Sequence, residues 1–360
     1  MWFFLNLWTY VNAEKKEKLL KASKDIEVLF SCRTKDLSKL NADFNVYETA
    51  QHEELCSEGR LEERWEEMEE KGIRYVSRED PDFPPKLLDV SPLIPGLFVK
   101  GSLPDPNRPA VSLIGARRCS VYGKETGYFL GKSLGEHGVQ VISGMALGVD
   151  GFSMRGGAAS GTPTFGVLGS GPDICYPREN IDLYKTLCDA PEKHGILSER
   201  PPGHKASLPQ DFPLRNRIIS GLCDVLAVIE SSLKSGTLIT VEYALKQNKT
   251  VLAVPGRIGD RLSEGCNKLI KDGAGMLLHP EDVLQELQMD YRTLSIHRTA
   301  VQLTKKEAAV LGCLSRTPAD TDELLESTGM PLSDLLETLV LLEIKGQIRK
   351  STMGGYIRVC

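Results

Sequence analysis

The chain has 360 residues, more than one ordinary domain, and predicts two or three. A hydrophobic content of 41% with 26% charged residues argues against wholesale disorder, and nine cysteines without a Cys-x-x-Cys pair argue against a disulfide framework or a structural zinc. The net charge of −5 does not describe a uniformly basic nucleic-acid binder, but residues 48–80 alone hold twelve acidic and five basic residues, so the remainder sums to +2.

Residues 1–12 are apolar and aromatic, lack a positively charged leader and a small-residue cleavage site, and read as a core helix rather than a signal peptide. No stretch approaches the ~18 apolar residues of a membrane span, so a soluble, cytoplasmic protein is expected, with no membrane partner. Residues 1–80 predict a helical domain, with Leu19, Leu20, Ile26, Val28, Leu29, Leu37 and Leu40 as core candidates. The charge run 62–71 reads as a solvated helix face. Pro81, Pro84, Pro85, Pro92 and Pro95 interrupt any helix, and residues 81–110 read as a proline-rich linker packed on the next domain.

From 111 to 288 the texture changes to short apolar strands, at 111–114, 139–142, 164–168, 196–198, 225–229, 251–254 and 276–278, separated by helical stretches. Strands without polar alternation are buried on both faces, and strands alternating with helices make right-handed crossovers and a mostly parallel sheet, an α/β fold. Residues 289–303 read as a linker. The tail, 304–360, predicts helices at 305–314, 320–327 and 333–345 and a hairpin of strands 347–350 and 356–359, the pattern of a winged-helix module. Its third helix holds Asp334, Glu337 and Glu343 against Lys345, a poor match to a DNA major groove, so the module reads as a protein-interaction or accessory element.

Parallel sheets bind ligands beyond the carboxyl ends of their strands, so the residues after each strand carry the functional signal. The first strand is followed by Gly115-Ala116-Arg117-Arg118-Cys119-Ser120, with Ser120 as a helix cap and Arg117 placed for an anion. The second is followed by Ser143-Gly144-Met145-Ala146-Leu147-Gly148-Val149-Asp150, and the third by Gly169-Ser170-Gly171 and then Tyr176-Pro177-Arg178-Glu179-Asn180. Arg215-Asn216-Arg217 fall in one helical turn ahead of the fifth strand, and Ser235-Gly236-Thr237 open a helix after it. Each motif alone is ordinary turn chemistry. Together, with Arg117, Arg178, Arg215 and Arg217 expected at one sheet edge, they suit a ligand with several phosphates, a polynucleotide as well as a nucleotide. Tyr122, Tyr176 and Phe212 are the nearest stacking candidates. The first turn is not Gly-x-Gly-x-x-Gly, which leaves a dinucleotide cofactor unsupported, and no cofactor is expected.

In this order these motifs, together with Val-Pro-Gly and Gly-Cys-Asn at 254–256 and 265–267, resemble the DNA-processing protein DprA (Smf) family over about residues 84–288. The resemblance implies an extended Rossmann-like domain, here 111–288, between a helical (SAM- or helix-hairpin-helix-like) domain and a winged helix. It implies a non-enzymatic protein, usually a homodimer, that binds and protects incoming single-stranded DNA in natural transformation and loads the RecA recombinase. Carried over by position, Arg117 and Arg215-Asn216-Arg217 would contact phosphates, and Ser143, Gly144, Gly169 and Gly171 would form the backbone pocket. Gly148, Arg178, Ser235 and Thr237 complete the expected DNA-binding set. Two positions depart from the family: Ala116 replaces the usual hydroxyl residue, and Met154 stands where histidine is common.

The alternative is a Rossmann-like nucleotide-binding enzyme of the phosphoribohydrolase type, whose Gly-Thr step Gly236-Thr237 resembles. Thr240 holds the place of that loop's glutamate, and Glu242 is turned ~200° away around a helix. Six histidines are scattered, with no His-Glu-x-x-His and no Gly-x-Ser-x-Gly, so neither a metal nor a catalytic triad is signalled; they read as surface or helix-end residues.

Overall fold

A strand covered on both faces needs apolar side chains at odd and even positions alike, and residues 110–114 show the result. Val111 and Leu113 pack into one core layer, and Ala110 and Ile114 into the layer on the opposite side. The computed structural model describes residues 1–23, 25–32, 43–206, 211–289, 303–315, 318–344, 347–351 and 355–358. The chain divides into two compact units, Met1–Thr293 and Leu294–Cys360. The expected core residues Leu37 and Leu40, His297, and nearly all of the expected 289–303 linker lie outside the described residues.

The first unit begins with helices α1 (Trp2–Leu7), α2 (Ala13–Ser23), α3 (Ile26–Ser31), α4 (Val46–Leu55) and α5 (Arg60–Glu70). Strands β1 (Arg74–Ser77), β2 (Gly96–Gly101) and β3 (Ala110–Ile114) follow, then α6 (Val121–Glu136), β4 (Gln140–Ser143), α7 (Val149–Ser160) and β5 (Thr164–Leu168). The chain continues through α8 (Ile181–Asp189), β6 (Gly195–Ser198), α9 (Asp211–Leu222), β7 (Val225–Val228), α10 (Thr237–Lys246), β8 (Thr250–Ala253), α11 (Glu264–Lys271), β9 (Gly275–Met276) and α12 (Pro280–Glu286). These strands form one sheet in the order β1-β2-β6-β5-β4-β3-β7-β8-β9. It is parallel from β6 to β9, with β2 antiparallel to both β6 and β1.

The expected mostly parallel sheet is present, and it is wider than the sequence suggested. Residues 96–101, expected within a linker, are a buried strand, and 74–77, expected in a helical zone, pair with it. The helices α1 to α5 belong to the same unit as the sheet. Phe98 of β2 is buried among Phe3, Phe4, Trp8, Leu19 and Leu29, and the Asn6 amide donates to the carbonyls of Gly96 and Glu199. Residue 28 departs from expectation: Val28 is exposed and Leu29 takes the core position. His52 and His194 are likewise buried rather than superficial, and burial lowers the pKa of each ring. The charge run is the solvated face expected of it, with Arg60 paired to Glu54 and Glu63, and Arg64 to Glu67.

The second unit contains α13 (Lys305–Cys313), α14 (Thr321–Thr328), α15 (Leu332–Ile344) and the hairpin β10 (Ile348–Lys350) with β11 (Tyr356–Arg358), the three helices and wing expected of the tail. Thr304 with Glu307, and Asp320 with Glu323, close capping boxes at the first two helices. Its core is built from Val310, Leu311, Leu324, Leu335, Leu339, Leu342 and Ile348.

Candidate nucleic-acid interface

The strand order reverses at β3, which lies between β4 and β7. Successive connections leave a crevice at such a switch point, beyond the carboxyl ends of the strands. A cleft of about 740 Å³ opens there, lined by the turn after β3, by α9, and by the loops after β7 and β8. Among the described residues five cations line it, Arg117, Arg118, Arg215, Lys234 and Arg261, with Asp150 as the one carboxylate.

Local chemistry holds each turn. After β3, the Ala116 amide donates to the Glu230 carbonyl, and the Glu230 carboxylate accepts from the amide and hydroxyl of Ser120. The Ser120 hydroxyl also accepts from the Gly123 amide and so caps α6. After β4, Gly148 at φ +75° starts α7 where an added Cβ would stand 2.2 Å from the Ala116 carbonyl, so only glycine fits. The Asn180 amide holds that turn from the side by donating to the carbonyls of Met145 and Ala146. After β7, the Thr237 hydroxyl donates to the Gly115 carbonyl and the Ser235 hydroxyl to Thr237, which ties the start of α10 to the first turn. After β8, Asn267 and Gly256 exchange side-chain and backbone hydrogen bonds, which explains the Pro-Gly and Gly-Cys-Asn pairing in the sequence.

Asp150 and Arg215 form the buried centre. The Asp150 carboxylate accepts from the amides of Gly115 at 3.3 Å and Gly144 at 3.2 Å and so joins the turns of β3 and β4. Burial pushes its pKa up, opposed by Arg215, by these two amides and by Arg117. The Arg215 guanidinium donates to the carbonyls of Gly144 and Val167 and to the Asn216 side chain. Burial brings its pKa down to about 10, so it stays charged at neutral pH. A Cβ at Gly144 would press on the Arg215 guanidinium, so any side chain there displaces Arg215 from its two carbonyls.

A small second cavity, about 50 Å³, shares Arg117, Ala146, Phe212 and Arg215 with the cleft and adds Gly144, Leu147, Leu168, Gly169, Tyr176 and Pro177. At their boundary the Arg117 guanidinium lies 4.9 Å from the Phe212 ring centre, and the Tyr176 and Phe212 rings are 5.6 Å apart. Cation and aromatic faces therefore meet at one mouth.

Of the twelve residues expected from sequence, Arg117, Gly144, Gly169, Arg215, Asn216, Ser235 and Thr237 line these two cavities. Five do not. Ser143 turns its hydroxyl into the sheet, onto the Leu113 carbonyl, and Gly148, half-buried at the start of α7, lines neither cavity. Gly171 packs against Pro201, Arg178 is exposed and lines neither cavity although its neighbour Pro177 lines the second, and Tyr122 also lines neither. Arg217 is fully buried and pairs with Glu199 at 2.8 Å. Two residues along a helix is a rotation of ~200°, so the turn that aims Arg215 at the cleft aims Arg217 away from it. The sequence motifs contain Arg118 and Asp150 without assigning either to the binding set, and they do not single out Lys234 or Arg261, although each of the four follows a strand end or opens the next helix. Thr240 lines the cleft where a phosphoribohydrolase would need its glutamate, and Glu242 is exposed outside it. Among the described residues, no group of three or more His, Cys, Asp or Glu side chains is placed to hold a metal ion, and no helix is long and apolar enough to cross a membrane.

The family described as DNA recombination-mediator protein A has a sequence profile that matches residues 74–288, and the DprA winged helix domain matches 297–352. The chain belongs to this family. Protein Smf of Escherichia coli is 32% identical over 301 residues, which cover 81% of this chain and 79% of its own length. The X-ray structure of DNA processing protein A from Streptococcus pneumoniae superposes with a TM-score of 0.63 at 28% identity, over 77% of this chain and 98% of that one. DNA processing protein A of Helicobacter pylori, whose structure was described for its single-stranded DNA binding mode, gives 0.51 at 25% identity, over 60% and 96%. The extended Rossmann-like sheet and winged-helix tail implied by the motifs are thus those of the family.

Proposed function

We propose that this chain binds single-stranded DNA across the switch-point cleft, protects it during natural transformation and loads the RecA recombinase onto it, acting without catalysis and as a homodimer. The observation that carries the DNA reading is the set of five cations lining a cleft of about 740 Å³ that opens beside the Tyr176–Phe212 pair. Phosphates find charge in the cleft, and unpaired bases find ring faces at its mouth. The likeness to the Helicobacter pylori protein supports the single-strand preference. Eight described cysteines are free thiols, which suits the reducing cytoplasm. The enzymatic alternative fits less well, because the cleft carboxylate, Asp150, is occupied by two backbone amides.

The test is a fluorescence titration of labelled single-stranded and duplex oligonucleotides at several salt concentrations, beside a nucleoside-monophosphate hydrolysis assay. Single strands should bind more tightly, with log affinity falling by roughly 0.7 per phosphate engaged for each decade of salt. Arg117→Ala should lower affinity on all sequences alike and reduce that slope by about 0.7. A duplex preference, or base release without DNA binding, would sink the reading.

A further inference from the structure

In the second unit, α15 buries Leu335, Leu339 and Leu342 and leaves a second apolar strip uncovered. Leu332, Leu336 and Val340 are 52%, 44% and 53% exposed. Their i, i+4, i+8 spacing keeps them within about 80° of one another around the helix, a continuous line of some 12 Å. In a winged-helix module this is the helix placed to enter a DNA groove. Its charges oppose that use: all seven charged residues between 318 and 344, on α14 and α15 and their caps, are acidic. Asp334 is neutralised by Lys306 at 2.7 Å, whereas Glu337 and Glu343 are exposed. At 100° per residue Glu343 falls within the apolar strip and Glu337 about 60° beyond Val340.

We propose that the exposed face of α15 docks a basic amphipathic helix of a partner protein, whose apolar stripe covers Leu332, Leu336 and Val340 and whose lysines or arginines meet Glu337 and Glu343. Apolar anchors at helical spacing with an acidic border specify that chemistry. A phosphate backbone meets like charge there. A second copy docking through the same face sets Glu337 and Glu343 near their equivalents, which disfavours self-pairing relative to a basic partner.

The experiment uses the full chain and two labelled synthetic helices of about 18 residues with the same leucine stripe, one bordered by lysine and the other by glutamate. Fluorescence anisotropy should show the lysine helix bound at least tenfold more tightly. The double variant Leu336→Gln, Val340→Gln should lose at least tenfold of that affinity while single-stranded DNA binding is unchanged. Glu337→Lys with Glu343→Lys should reverse the preference between the two helices. Equal binding of both helices, or unchanged lysine-helix binding by both folded variants, overturns the proposal. So does duplex binding, or a concentration-dependent dimer mass in light scattering, that the Gln variant abolishes, because DNA or a second copy would then be the occupant.

Discussion

Asp150 shows how a motif residue can matter without touching a ligand phosphate. It sits in the first turn of α7, where the helix N-terminus favours a carboxylate, and its two oxygens hold the Gly115 and Gly144 amides in place. The motif Gly-Val-Asp displayed this residue in the sequence, but its role depends on two strand ends, at Gly115 and Gly144, that only the fold brings together. Asp150→Asn keeps the shape and turns an amide nitrogen toward one of the two N–H donors, leaving that donor unsatisfied at a cost of about 1–3 kcal/mol. The β3 and β4 turns then lose their common anchor. We expect single-stranded DNA affinity to fall about tenfold with a lowered thermal midpoint, read by anisotropy and calorimetry. Unchanged values would mean that Glu230 and Asn180 suffice to hold the turns.

At the scale of elements, α9 carries the contrast between what the sequence disclosed and what it hid. Buried parallel strands announce themselves as unbroken apolar runs, so β3, β4, β5, β7 and β8 were legible. So was the sheet edge at which the cleft opens, because glycine, hydroxyl and arginine residues cluster after those strands. β2 was not legible, since prolines on its amino-terminal side resemble a linker and its strand character comes from antiparallel pairing with β6, which is nearly a hundred residues away. Arg217 was misread because adjacency in sequence concealed its opposite direction on α9. Its pair with Glu199 ties the interior of α9 to the end of β6, and its Nε and Nη1 have no other partner among the described residues. Arg217→Ala breaks a buried pair, which costs about 3 kcal/mol or more. The thermal midpoint should therefore drop by several degrees, whereas the salt slope of DNA binding by the folded protein should stay as in the parent. Arg217→Met with Glu199→Leu should recover most of the loss. A slope reduced as by Arg117→Ala would instead put Arg217 on a phosphate.

For the whole molecule, the net charge of −5 averages an acidic helical flank with a cation-lined cleft, and the first unit also carries charge inside it. Lys16 of α2 is buried where the amino-terminal helices meet the core, within the field of Arg200, Glu199 and Arg217. Burial foremost, and then the neighbouring Arg200, bring its pKa down to about 7, against 10.5 for a free lysine. Below pH 7 both folded and unfolded chains hold the proton, and the folded state bears the full cost of a buried ammonium. Between pH 7 and 10.5 the folded state releases the proton while the unfolded chain keeps it, so stability from this group rises with pH. Lys16→Met removes the charge and retains an apolar stem. It should stabilise the first unit by roughly 2–4 kcal/mol at pH 6, and the advantage should shrink steadily toward pH 10. Urea unfolding at pH 6, 8 and 9.5, with tryptophan fluorescence reporting on Trp8 in the helical core, reads this difference directly. A gap between variant and parent that is constant with pH would mean that the ammonium stays charged in the folded protein. A variant less stable than the parent at pH 6 would mean that Lys16 is held by its field as a favourable partner of Glu199, and that the helices are fastened to the sheet through it.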